Sequence, residues 1–184
     1  MEEWVSWDAV LPSELSSRAG QWWQEANQLP GLVFLRWLGV NGQCVVIHLF
    51  TDALEKAYGC RIYAAWEEES QLLFAKTKVT PLKVTTLARL ELQAAYVGVR
   101  WLQFSLEQSR LAVSAVHAWR DSMTTLQWID CQPHRWMACV ANWVSCIQDA
   151  SAQLGITWHH CPGRDNPADM ASRGASPAAW SAPE

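Results

Sequence analysis

The chain has 184 residues, of which 50% are hydrophobic, and a formal net charge of −4. That length suits one domain with an appendage, because a chain of about 150 residues buries roughly two thirds of its surface on folding. No run of about 18 apolar residues occurs, so no membrane span is expected, and Glu2 and Glu3 stand where a secretory leader would carry basic residues.

In chain order, Pro12 to Gln28 reads as an amphipathic helix with Leu15, Ala19, Trp22 and Ala26 on one stripe, stopped by Leu29-Pro30-Gly31. After an Asn41-Gly42 turn, the run Val45 to Asp52 is rich in β-branched residues and reads as a buried central strand within Cys44 to Asp52. Strands Ala57 to Trp66 and Leu72 to Thr77 follow as a hairpin through Glu67-Glu68-Glu69-Ser70. The spacing then predicts a helix over Thr86 to Leu106, a strand over Ser114 to Trp119, and helices over Ser122 to Ile129 and Arg135 to Gln153. A strand over Ile156 to Cys161 precedes a last helix from Pro167, a residue suited to a first helical turn, and Ala175 to Glu184 reads as a frayed tail. Three strands followed by alternating helix and strand imply an α/β fold with a mixed five-stranded sheet covered by helices.

Four carboxylates fall in or beside these elements. Asp52 closes the first strand, Glu91 lies on an apolar helical face beside Leu87, Ala88, Ala94 and Ala95, Asp121 opens a helix, and Asp169 follows Pro167. Each also has a plainer role available, as a strand end, an exposed helix residue, an N-cap before Ser-Met-Thr, or a first-turn acid favoured by the helix dipole. Ionised carboxylates held together repel, and cations relieve that repulsion. Mg²⁺ is the natural occupant, because it is a hard ion that takes carboxylate, water and phosphate oxygens.

The runs Thr51-Asp52-Ala53-Leu54-Glu55-Lys56-Ala57-Tyr58-Gly59, Arg89-Leu90-Glu91-Leu92, Trp119-Arg120-Asp121-Ser122 and His160-Cys161-Pro162-Gly163-Arg164-Asp165-Asn166-Pro167-Ala168-Asp169-Met170-Ala171-Ser172-Arg173-Gly174 occur in that order, joined by Pro133-His134-Arg135-Trp136 and Val140-Ala141-Asn142. Together they resemble the ribonuclease H domain of Bel/Pao-type retrotransposon polyproteins over Val45 to Gly174. Upstream, Trp7-Asp8-Ala9-Val10-Leu11-Pro12 resembles the connection region that joins reverse transcriptase to this domain. The resemblance implies a connection segment over residues 1–40, a ribonuclease H-like domain over 41–175 and a tail over 176–184. It further implies an endonuclease that cuts the RNA strand of RNA/DNA hybrids. Asp52, Glu91, Asp121 and Asp169 would be ligands for two Mg²⁺ ions, with Mn²⁺ as a substitute, Ser122, Arg164 and Asn166 would contact substrate, and a reverse transcriptase domain would be the partner in the parent polyprotein.

Two departures from the family pattern qualify the activity. Arg164 stands where ribonucleases H carry a histidine that helps product release, and Trp143 stands where relatives tend to carry arginine. With no polymerase or integrase segment in view, a fragment or host-retained remnant that only binds nucleic acid or protein is the alternative. The acidic net charge agrees with weak intrinsic affinity, although Lys76, Lys78 and Lys83 make a local basic patch able to touch phosphates or to protect a sheet edge. Cys131, His134, His159, His160 and Cys161 offer a thinner zinc pattern, lacking the tight spacing of zinc modules. The six cysteines form no small-scaffold framework, so reduced thiols and an intracellular setting, cytoplasmic or nuclear, are expected.

Overall fold

Alternation of side chains along an extended chain places Val45, Ile47 and Leu49 on one face, where all three are fully buried, and Val46, His48 and Phe50 on the other, where they are half-buried. The computed structural model describes residues 6, 8–28, 38, 40, 42–82 and 85–174. Leu38–Gly174 form one compact unit, and the described residues before Leu38 belong to another. Among those, helix α1 (Ser13–Ala26) has no buried residue, and Trp22 and Trp23 are both exposed. The stop at Leu29-Pro30-Gly31, Trp7, Asn41, Lys83 and the tail 176–184 lie outside the described residues.

In the larger unit, strands β1 (Val45–Ala53), β2 (Ala57–Trp66), β3 (Glu69–Val79), β4 (Val113–Arg120) and β5 (Ile156–His160) form one mixed five-stranded sheet in the order β3-β2-β1-β4-β5. The first three pair antiparallel as a meander, while β1 pairs parallel with β4 and β4 parallel with β5. Helices α2 (Leu87–Gln108), α3 (Met123–Asp130), α4 (Ala138–Leu154) and α5 (Asp169–Arg173) complete it. The fully buried face of β1 joins Ile62, Ala64, Leu92, Ala95, Leu102, Val116, Ala118, Val144 and Ile147 in one core between the sheet, α2 and α4. Among the described residues, no helix is long and apolar enough to cross a membrane.

Several boundaries differ from the sequence expectation for identifiable reasons. β3 is longer at both ends than Leu72 to Thr77, because Glu69 and Ser70 pair with Trp66 and Ala65 across a tight turn in which Glu67 adopts φ 52. The helix expected from Arg135 starts only at Ala138: Pro133–Arg135 make a short 3-10 turn, and Trp136 turns extended to pack against Trp128, with ring centroids 5.4 Å apart. The last helix begins at Asp169, not Pro167, because Oδ1 of Asn166 accepts a hydrogen bond from the Ala168 N–H at 3.1 Å and holds a turn ahead of it. Asp121 is not a helix cap. Ser122 takes that place, its Oγ accepting from the Thr125 N–H at 3.4 Å.

Candidate active site

Because β1 and β4 run parallel, their carboxyl ends lie side by side, the position where open α/β sheets carry their sites. Asp52 stands one residue before the end of β1, and Asp121 one residue beyond the end of β4. Glu91 reaches the same place from the second turn of α2. That helix lies close to the sheet because Ala94, Ala95 and Gly98 face it; a Cβ on Gly98 would come within 2.7 Å of Thr51 Cγ2. One carboxylate oxygen from each of Asp52, Glu91 and Asp121 lies within 4.8 Å of the others.

The surroundings of these acids are unequal. Asp52 is buried, and its Oδ2 accepts a hydrogen bond from the Ser172 hydroxyl, which also donates to the Asp169 carbonyl at 3.0 Å. Burial raises its pKa against the pull of the Ser172 bond, with Asp121 and Asp169 adding to the rise. Glu91 is pushed up to about 7 by burial, although the Arg120 guanidinium beside it acts in the opposite direction. Arg120 is fully buried: Nη2 donates to Glu91 Oε2 and Nη1 to the Glu91 carbonyl at 3.1 Å. Asp121 Oδ1 is buried with no hydrogen-bond partner.

Asp169 does not join the trio. Its Oδ1 accepts from Arg173 Nε at 2.6 Å across one helical turn, although it stays near enough to act on Asp52. Asn166, expected to meet substrate, is instead buried; its amide donates to the Thr51 carbonyl at 3.0 Å, so it ties the loop from Pro162 to β1 next to Asp52. That loop crosses close to the trio, where a Cβ on Gly163 would sit 3.1 Å from Asp121 Oδ2. Arg164 next to it is exposed, its Nε 3.6 Å from Asp165 Oδ2. Ser122 is spent largely on its cap, with Oγ 3.1 Å from Thr125 Oγ1.

Lys76 and Lys78 lie on the exposed edge strand β3, paired with Cys60 and Tyr58. Their side chains point to the α2 side of the sheet, and Lys76 Nζ sits 5.5 Å from the centre of the Trp101 ring. Thr77, opposite Gly59 and so in line with Asp52, faces α5 and donates to the Ala171 carbonyl at 2.9 Å. The zinc pattern gathers no site among the described residues: the acid trio is the group with metal-ligand spacing. His159 instead meets His117, ring nitrogens 2.9 Å apart. Trp143 packs against the core.

Two residues of the site carried a signal that motif reading passed over. Inward positions of β4 alternate as Val116, Ala118 and Arg120, so a cation falls where the pattern demands a core side chain. Ser172 lies three residues after Asp169, one helical turn along the same face.

The fold and the acid trio together define a ribonuclease H-like domain. A family model described as the Pao retrotransposon-like RNaseH-like domain matches residues 1–122, and the chain belongs to that family. No curated protein matches the sequence. Among solved structures, the N-terminal RNase H domain of Rv2228c from Mycobacterium tuberculosis, determined as a fusion with maltose-binding protein, superposes with a TM-score of 0.54 at 17% identity, over 73% of this chain and 96% of that one. LC11-RNase H1 in complex with an RNA/DNA hybrid gives 0.51 at 16% identity, over 74% and 99%. The foamy viral protease-reverse transcriptase in complex with an RNA/DNA hybrid gives 0.51 at 12% identity, over 78% of this chain and 21% of that one. At these identities the likeness is one of fold.

Proposed function

We propose that this domain hydrolyses the RNA strand of RNA/DNA hybrids with divalent metal ions, Mg²⁺ in the first place and Mn²⁺ as a substitute. The observation that carries this reading is the convergence of Asp52, Glu91 and Asp121 within 4.8 Å at the carboxyl ends of β1 and β4. The donor set is made only of hard oxygens, and the unpartnered buried Asp121 Oδ1 is a free ligand atom, so the residues fit such an ion. Bound there, the metal would activate a water and stabilise the leaving oxygen of a phosphodiester.

The chain's own part is positioning. Ser172 orients Asp52, Arg120 orients Glu91, and Asn166 fixes the loop that brings Gly163 against Asp121. Asp169 would enter as the fourth ligand by exchanging Arg173 for metal. Exposed Arg164 would touch substrate phosphate, and choice of RNA would come from its 2′-hydroxyls with little reading of bases. Two structural neighbours, each solved with an RNA/DNA hybrid, support the substrate class. The second belongs to a protease-reverse transcriptase, which supports a reverse transcriptase partner in a parent polyprotein, with 1–40 as the connection, 41–175 as the nuclease domain and 176–184 as a tail.

A second reading, binding without cleavage, draws on one observation, the engagement of Glu91 by Arg120. The test is a cleavage assay on a hybrid labelled in its RNA strand. The expected outcome is metal-dependent cutting of that strand, no cutting of duplex DNA, and loss of cutting in Asp121→Asn with an unchanged melting temperature. If Asp121→Asn cut as well as the parent, the site would be misassigned; hybrid binding by the parent with no cutting at any metal concentration would establish the second reading.

A further inference from the structure

A buried guanidinium inside a carboxylate cluster changes how much cation the cluster takes. Arg120 is 0% exposed, its two terminal nitrogens are committed to the Glu91 carboxylate and carbonyl, and its Nε is buried without a partner. The next inward position on the same strand face, Ala118, is in the core. Arginine keeps its charge in proteins, and moving it away from Glu91 would strand a buried acid and a buried cation.

We propose that Arg120 is a resident cation of the acid cluster, holding Glu91 and taking the place of one divalent ion, so that the resting protein binds one such ion where the cluster without Arg120 would bind two. The inference rests on the reading of Asp52, Glu91 and Asp121 as a divalent-cation site. The guanidinium already answers one acid of the trio, which lowers the cationic charge the trio calls for. Among the oxygens that Arg120 leaves free for that ion is the unpartnered Asp121 Oδ1. Glu91 Oε2 is already engaged by Arg120 and so is less available to a second ion. Arg120 is a positioning residue with a cost: it orders Glu91 and withholds it.

The test is the Mn²⁺ stoichiometry of the full chain, by calorimetry and by electron paramagnetic resonance of free Mn²⁺, with no nucleic acid present. The parent is expected to bind one ion, Arg120→Ser two, and Arg120→Lys, which keeps a cation, one again. Two ions in the parent, or one in a folded Arg120→Ser, would overturn the assignment of Arg120. Should Arg120→Ser fail to fold, the parent and Arg120→Lys still decide, since two ions in either overturns it and one in both supports it. Asp52→Asn separates this failure from that of the underlying reading: the parent's single ion must be lost there, and its retention would mean that the ion sits elsewhere and both ideas fall.

Discussion

Asp121 and Ser122 show how adjacent residues divide two tasks that a motif assigns together. Ser122 caps α3 through its hydroxyl, leaving the Asp121 carboxylate free of any capping duty and aimed at the trio. Removal of a capping hydroxyl costs about 1 kcal/mol. Ser122→Ala is therefore expected to lower unfolding free energy by about 1 kcal/mol, whereas Asp121→Asn should leave it unchanged in the absence of metal, both measured by urea denaturation. The reverse ranking would return the cap to Asp121. The same division separates Asp52 from Asn166: one carries the carboxylate, the other spends its amide on β1 and on its own turn.

At the scale of elements, the meander sets how β1 presents Asp52. Gly59 lies directly across from Asp52 on β2, and a Cβ there would come 2.5 Å from the Lys76 carbonyl oxygen on β3, a backbone atom that cannot swing aside. Overpacking of this kind costs about 1 to 3 kcal/mol. Gly59→Ala is expected to destabilise the protein by that amount and to broaden the amide signals of β2 and β3 in nuclear magnetic resonance spectra; full stability would show that the strands part freely at this point. Strands β1, β4 and β5 add a row of rings, His48, His117, Trp119 and His159, in which Trp119 Nε1 donates to His48 Nδ1 at 3.0 Å. His48 and His159 both have lowered pKa values, chiefly from burial and then from neighbouring histidine.

Over the whole molecule, these groups give stability two opposed pH limbs when no metal is bound. His48 and His159 are depressed below their ordinary value of 6.5, so their contribution is present above that pH and is lost as acid protonates the unfolded chain more readily. Glu91 and Asp52 are raised, so theirs is present at low pH and lost as pH climbs, through about 7 for Glu91. The Glu91 loss runs from its ordinary 4.5 up to about 7 and so overlaps the histidine limb below 6.5, where the two slopes oppose each other. Denaturant unfolding as a function of pH checks this: Glu91→Gln should flatten the falling limb and His48→Gln the rising limb. A slope between pH 4.5 and about 7 that Glu91→Gln does not change would remove Glu91 as its source.

The sequence by itself determined the sheet, most helices and the identity of the acids. Period-two burial in β1 and β4 and the apolar stripe of α2 are local properties of the chain, as is the order of the motifs around Asp52, Glu91 and Asp121. Where elements begin was less legible: Trp136 leaves the helical path to pack on Trp128, and Asn166 delays α5 by capturing the Ala168 N–H. Both are gains made elsewhere in the fold. Tertiary structure alone decided which acids meet and what each touches. Asp169 is drawn to Arg173 while Asp52, Glu91 and Asp121 converge, and Arg120, an ordinary cation in the linear chain, becomes the buried partner of Glu91. The reason is physical: a charge's worth is set by the dielectric and the partners around it, and only bringing the end of β4 against Glu91 of α2 took that guanidinium out of water and set it among the acids.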